Sequence, residues 1–321
     1  MDRLKGMTEI SVVIPAHNEE KNIASTFREI QSALANSTAE WEIIFVDDGS
    51  RDGTAAAVRS LMPTCSRVRL IQLARNFGHQ AALMAGLSAA KGQAVISMDC
   101  DLQHPPRYIP EMIDAWRAGH LVVDMERERT IGISRSKHTL SVGFYRLINL
   151  LSSVPISEGV SDFRLLDRIV VEQLIKINDP KPFIRGLVAW LGFKPKTIKY
   201  TADERRFGQP SYTLRKSLRL AQHALLSLSQ EPLRFSIYVS IGLFLLCFIY
   251  IAYVIIASFT GNVVAGWPSI IVSVLTLGGI QLMSLGILGE YVAQIFERTR
   301  NLPAYVALPE SPPNTQARET P

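Results

Sequence analysis

Over Glu9 to about Met125, short apolar runs alternate with stretches whose apolar residues recur at helical spacing. Ile10–Ile14, Ile43–Val46, Val68–Leu73, Ala94–Met98 and Leu121–Val123 are nearly unbroken hydrophobe. Strands of a parallel sheet look like this, because both of their faces are covered. Between them Asn22–Ala35, Thr54–Leu61, Gln80–Ala90 and Arg107–Arg117 read as helices. The alternation predicts an α/β fold: an open, mostly parallel sheet with helices on both faces. Ligands of such sheets bind outside the carboxyl ends of the strands.

A different pattern follows. From Phe235 to Gly289 no Asp, Glu, Lys, Arg or His occurs in 55 consecutive residues. One membrane span takes about 20 apolar residues, so the stretch predicts two, at 235–259 and 268–289. The helices of a soluble hairpin would carry a polar face, and neither segment does. Between Arg205 and Arg234 six basic residues face one acid, Arg298 and Arg300 follow the second span, and the intervening loop is uncharged. The positive-inside rule then places the N-terminal region and the tail in the cytoplasm, with Trp267 at an interface. Nothing at Met1–Gly6 resembles an apolar signal segment.

The expected organisation is a cytoplasmic α/β region over 1–212, a juxtamembrane amphipathic helix over 213–234, the spans over 235–289, and a tail over 290–321. Leu214, Leu218, Ala221 and Leu225 give the juxtamembrane segment its apolar face, and Lys137–Leu151 is a candidate for a second such helix. The tail after Pro303, rich in Pro, Ser, Thr and Glu, is expected to be disordered. Charged residues at 20% exclude a disordered or collagen-like chain. Three scattered cysteines make neither a disulfide framework nor a zinc site. The net charge of +5 is concentrated beside the spans, where anionic lipid is a simpler partner than nucleic acid.

Three predicted strand ends carry polar chemistry: Pro15–Glu20, Asp47–Thr54 and Asp99–Pro106. In extended backbone Asp99 and Asp101 share a face. Two carboxylates aimed at one point repel unless a cation lies between them. With Gln103 beside them, the oxygen set suits Mg²⁺ or Mn²⁺, which also binds diphosphate. Each strand end has a plainer reading: a solvated turn for Asp99 and Asp101, turn acids for Asp47 and Asp48, first-turn helix acids for Glu19 and Glu20. Their coincidence on one sheet edge favours a site.

These residues resemble the family 2 glycosyltransferases of GT-A fold. The resemblance runs through Pro15-x-x-Asn18-Glu19, Val46-Asp47-Asp48-Gly49-Ser50, Arg75–Ala82, Asp99-x-Asp101-x-Gln103-His104-Pro105, Ser161–Arg168, Phe183–Gly186 and Ser211–Lys216. With two spans behind them, the chain is similar to the bacterial polyprenyl-phosphate, or bactoprenol, glucosyltransferases, relatives of dolichol-phosphate mannose synthase. The resemblance implies a metal-dependent, inverting transfer of a sugar, glucose favoured, from UDP to a polyprenyl phosphate at the bacterial plasma membrane, for cell-envelope glycan modification. It assigns Pro15, Glu19, Asp47, Asp48, Asp99, Arg127 and Arg205 to the nucleotide-sugar. Asp101 and Gln103, with Asp99, are assigned to the metal, and Asp162 joins Asp101 as a catalytic residue. Arg135 and Lys137 are candidates for the lipid phosphate. A tetramer is common in the family.

Two features depart from its pattern. Pro210 and Ser211 replace the Ser and basic residue of the family's phosphate loop, which leaves Arg205, with Arg206 as a second candidate, to make that contact. Arg127 is flanked by Glu126 and Glu128, and Arg129 is the alternative for its place. Asp162 also has competing readings, as a helix cap or as an ion-pair partner of Arg164. His17, His79 and His104 lack the mutual spacing of a metal site, and hydrogen-bonded or solvated roles suit them. Rival functions are a processive polysaccharide synthase, whose Gln-x-x-Arg-Trp motif is missing here, and a catalytically silent nucleotide-sugar-binding membrane regulator.

Overall fold

The computed structural model describes residues 8–35, 39–128, 160–177, 179–201 and 266–309, with scattered positions between 238 and 256. Seven strands form one sheet: β1 (Ile10–Ala16), β2 (Trp41–Asp47), β3 (Val68–Gln72), β4 (Ala94–Ser97), β5 (Val122–Arg127), β6 (Val160–Asp167) and β7 (Lys196–Tyr200), in the order β3-β2-β1-β4-β6-β5-β7. β6 alone runs antiparallel to its neighbours, pairing Ser97 with Arg164 and Val123 with Leu165. The sheet is therefore mostly parallel, as expected, and mixed at β6.

The helices are α1 (Glu20–Leu34), α2 (Thr54–Leu61), α3 (His79–Ala89), α4 (Ile109–Arg117), α5 (Arg168–Ile177), α6 (Ile184–Trp190) and α7 (Trp267–Thr299). A 3₁₀ turn at Pro106–Tyr108 leads into α4, so the single helix expected over Arg107–Arg117 begins as a tighter turn. Strand pleating sends alternate residues to opposite cores. On one face Val12, Ile14, Ile43 and Phe45 meet Ile23, Phe27 and Ile30 of α1 and Met112 of α4. On the other, Val13, Ile44 and Val46 meet Leu83 and Leu87 of α3 and Val170 and Val171 of α5. Helices cover both faces, which explains why β1 and β2 are buried at every residue.

The described residues up to 201 form one compact unit together with 302–309, and 266–301 belong to a second. In the second unit α7 runs ten residues beyond the predicted end of the span, through Glu290, Glu297 and Arg298. Loss of hydropathy does not end a helix. The stop comes at Asn301, whose φ of 52° is the left-handed conformation of a C-terminal cap, with Pro303 behind it. Within α7, Thr276–Thr299 has the length and mean hydropathy (1.2) to cross a membrane. The predicted first span lies mostly outside the described residues, as do the juxtamembrane helix and Lys137–Leu151.

The tail corrects one expectation. Residues 304–308 are ordered against the sheet edge: Ala307 bridges antiparallel to Leu73, the Ala74 N–H donates to the Val306 carbonyl (2.9 Å), and the Leu308 N–H donates to the Gln72 carbonyl (2.7 Å). Tyr305 packs on the second core. The Pro-, Ser-, Thr- and Glu-rich composition belongs to 309–321; the strap itself, Ala304-Tyr305-Val306-Ala307-Leu308, is a short apolar run suited to pairing with an open edge.

Candidate active site

The carboxyl ends of β1, β2 and β4 open on one edge. β6, entering the sheet in reverse, brings its first residues to that same edge. Asp162 thereby arrives beside the Asp99 segment, its carbonyl accepting the Ser97 hydroxyl at 2.5 Å. A parallel strand at that position would have put Asp162 at the opposite end of the sheet.

At the end of β1, Pro15 is buried in register with Val46. Glu19 precedes α1; its N–H donates to the Thr54 hydroxyl (2.8 Å), and its carboxylate accepts from the Asn22 amide (2.5 Å). Asp47 and Asp48 are both 3% exposed. The Asp47 carboxylate takes the Ser50 N–H at 3.0 Å and the Gln72 amide at 3.2 Å. Asp48 takes the Phe77 N–H (2.7 Å) on one oxygen and the Gly78 N–H (2.9 Å) on the other. Burial raises the Asp48 carboxyl, and these two N–H groups pull it the other way. Both acids thus shape the rim, and a nucleotide contact would use their remaining lone pairs. Gly49 must be glycine here: its φ is 62°, and a Cβ would lie 2.5 Å from the Arg75 carbonyl carbon.

At the end of β4, the Asp99 N–H donates to Nδ1 of His104 at 2.9 Å, so that nitrogen is an acceptor and not a cation facing the Asp99 carboxylate 3.6 Å away. His104 stacks on Phe163, ring centroids 5.1 Å apart. Asp101 is 7% exposed, and its carboxylate accepts the Gln103 N–H at 3.1 Å. Between them Leu102 is buried at a φ of 61°, a left-handed conformation that costs a branched side chain about 1–3 kcal/mol. Such strain persists where the surroundings fix it, and here it sets the spacing of Asp101 and Gln103.

Among the described residues no group of three His, Cys, Asp or Glu side chains could hold a metal. Asp99, Asp101 and Gln103 still fit a hard cation that keeps several waters or phosphate oxygens, since such an ion takes only one or two protein carboxylates. Arg127 ends β5 at the same edge, exposed and in register with Tyr200. Arg135, Lys137 and Arg205 lie outside the described residues.

Asp162 is the most elaborately held acid of the edge. Arg185 donates to both oxygens, Nε at 2.9 Å and Nη2 at 3.0 Å; Gln80 adds a bond at 2.9 Å, and Nε2 of His79 stands 3.4 Å away. Burial alone would raise this carboxyl, yet the bonds from His79 and Arg185 hold it well below the usual carboxylate range. Neither competing reading survives: Asp162 lies inside a strand rather than at a cap, and Arg164 faces Asp124 at 3.5 Å. Nε2 of His79 also lies 3.6 Å from Asp99. Desolvation lowers its ring, but the Asp162 bond and the charges of Asp99 and Asp162 outweigh that and push it up to about 9. His79, Gln80 and Arg185 escaped the sequence reading as site residues. Their one signal was membership of the Arg75–Ala82 and Phe183–Gly186 segments.

Residues 11–175 match the family described as glycosyl transferase family 2, and 231–295 match the GtrB C-terminal hairpin. The chain belongs to glycosyl transferase family 2. It is 37% identical over 312 residues to the putative glycosyltransferase CsbB of Bacillus subtilis, covering 97% of this chain and 94% of that one. With the uncharacterized glycosyltransferase YkcC of the same organism it shares 36% over 299 residues, 93% of each chain. With the SfII prophage-derived bactoprenol glucosyl transferase of Shigella flexneri it shares 36% over 299 residues, 93% of this chain and 97% of that one. This protein is a glycosyltransferase related to the bactoprenol glucosyl transferases.

Proposed function

We propose that this glycosyltransferase moves a sugar, glucose first among candidates, from a UDP-sugar to polyprenyl phosphate at the cytoplasmic membrane face. The observation that carries the reading is the convergence of Asp99 and Asp101 from the end of β4 with Asp162 from the start of β6 on one edge. The relatives named bactoprenol glucosyl transferases, matched along nearly their whole length, support the acceptor and the sugar.

A divalent cation, Mg²⁺ or Mn²⁺, would be held by Asp101 and Gln103 with Asp99, and would supply charge stabilisation for the departing diphosphate. Pro15, Glu19, Asp47 and Asp48 would frame the nucleotide, and Arg127 and Arg205 would meet its phosphates. Arg135 and Lys137 would meet the lipid phosphate. The acceptor oxygen bonds to the anomeric carbon as the sugar–diphosphate bond breaks in line, with inversion, and the electron pair leaves on UDP. Because the acceptor phosphate is already ionised, no strong base is required, and positioning carries more of the barrier.

The sheet edge supports the membrane arrangement. Residues on both sides of 202–301 belong to one compact unit, and Ala307 bridges to Leu73 at the sheet edge. A chain that leaves a folded unit and returns to it crosses a bilayer an even number of times. If α7 is one crossing, a partner span over 235–259 would complete the pair, and the tail would share the side of the sheet.

Membranes containing the chain, supplied with undecaprenyl phosphate, Mg²⁺ or Mn²⁺ and a panel of labelled UDP-sugars, test the reading. Label entering an acid-labile lipid, and lost in Asp101→Ala, is the expected result. No lipid label from any donor, with folded protein present, would overturn it.

A further inference from the structure

Three elements distant in sequence meet through the Gln80 side chain. It sits in the first turn of α3, its amide nitrogen donates to Asp162 in β6 (2.9 Å), and its oxygen accepts the Ile184 N–H at the start of α6 (3.0 Å). Arg185, the next residue of α6, closes the arrangement with two bonds to the same carboxylate. Each Asp162 oxygen therefore already accepts at least one strong donor, and Oδ2 accepts two. A planar guanidinium bound through Nε and Nη2 fixes the carboxylate plane as well as its position.

Resting on the transfer reaction proposed above, we infer that Arg185 and Gln80 are positioning residues: they hold Asp162 as an oriented anion facing the sugar rather than as a proton acceptor. The chemistry favours this division of labour. A sugar leaving its diphosphate develops positive charge at the anomeric carbon, and a buried carboxylate of fixed orientation stabilises it without moving a proton. A base would need an oxygen open to the incoming nucleophile, and Asp162 is 5% exposed with both oxygens engaged. Arg185 itself is half-buried, so its fork faces the site and does not stand free in solvent.

The experiment compares Arg185→Lys, Gln80→Glu and Asp162→Asn with wild type in the lipid-transfer assay, using UDP-glucose and undecaprenyl phosphate. Lysine keeps the charge but loses the planar fork; glutamate keeps the acceptor for Ile184 but turns the donor to Asp162 into a repelling oxygen. Each variant is expected to lose about 10- to 100-fold in kcat while KM for UDP-glucose stays within about threefold. In the double variant Arg185→Lys/Asp162→Asn, the arginine substitution is expected to add less than about twofold, because its effect runs through Asp162. A purely structural role would instead lower the amount of folded protein and leave kcat per folded molecule unchanged. Full kcat in Arg185→Lys, or losses that multiply in the double variant, would overturn the inference while leaving the transferase reading intact. A wild type that transfers no sugar from any donor would overturn both.

Discussion

The backbone N–H of Asp99 ends on Nδ1 of His104, 2.9 Å away. This bond leaves the neutral ring's proton on Nε2 and ties Asp99 to a side chain stacked on Phe163. His104→Phe keeps a ring over Phe163 but strands a peptide N–H that has lost its acceptor. The expected cost is about 1–3 kcal/mol, read as a lower urea midpoint. His104→Asn, which restores an acceptor, should recover part of it; equal loss in both variants would count against the bond.

Asp48 holds the Arg75–Gly78 loop by the Phe77 and Gly78 amides. Asp48→Asn retains one acceptor and turns an NH₂ toward the other amide. Bonds to a charged acceptor are worth about 1.5–3 kcal/mol each, so a loss of that size is expected in denaturant unfolding, with weaker UDP binding. An unchanged UDP Kd together with the stability loss would restrict Asp48 to scaffolding.

His79 sets a pH dependence. Its ring is raised from 6.5 to about 9, so the stabilisation from its charge is complete below 6.5 and lost as pH rises through 9. Asp162 is depressed, so its contribution persists above the ordinary carboxylate range and is lost only in acid. The thermal midpoint should therefore decline between pH 6.5 and 9 in wild type and lie flat over that interval in His79→Gln. The ring is 43% exposed, and added salt should shrink the difference. Parallel profiles for the two proteins would contradict this account.

Chelation should abolish transfer, and Mg²⁺ or Mn²⁺ should restore it. Asp101→Asn is expected to need far more metal for half-maximal activity, about 100-fold or beyond, since even outer partners of metal ligands reach 10- to 100-fold. Full activity in EDTA would remove the cation from the mechanism.

Ending the chain at Leu302 removes two backbone bonds to the β3 edge and the partly buried Tyr305. A loss of about 2–4 kcal/mol is expected, together with a rise in amide exchange at Ala74. Unchanged exchange there would show that the tail contact contributes nothing in solution.

Strands β1 to β4 were legible because covered parallel strands leave nearly continuous hydrophobe, and Thr54–Leu61 was read to its ends. β6 was not, since Ser161, Asp162 and Arg164 break its apolar pattern. Those charges are buried because partners from β5 and α6 neutralise them, and no local rule brings Asp124 to Arg164 or Arg185 to Asp162. β7 escaped for another reason: as an edge strand it buries only Ile198 and Tyr200 and gives its remaining positions to Lys196, Thr197 and Lys199. The acids of the candidate site stand at strand ends that the pattern exposes; the groups that hold them do not show in it. His79 meets Asp99 and Asp162 only through the fold, and its sequence spacing to either carries no signature.

The strap of residues 304–308 also imposes an order on biosynthesis. A ribosome delivers β3 long before the segment that lies against it, and all of α7 emerges in between. Until then the nascent sheet ends in an unpaired strand, the kind of edge on which chains associate wrongly. The apolar helix must therefore leave the exit tunnel before the catalytic unit can be completed. A chain halted before residue 304 would carry a sheet whose β3 edge is still open, and the yield of folded protein should follow completion of the strap rather than the intrinsic stability of the sheet.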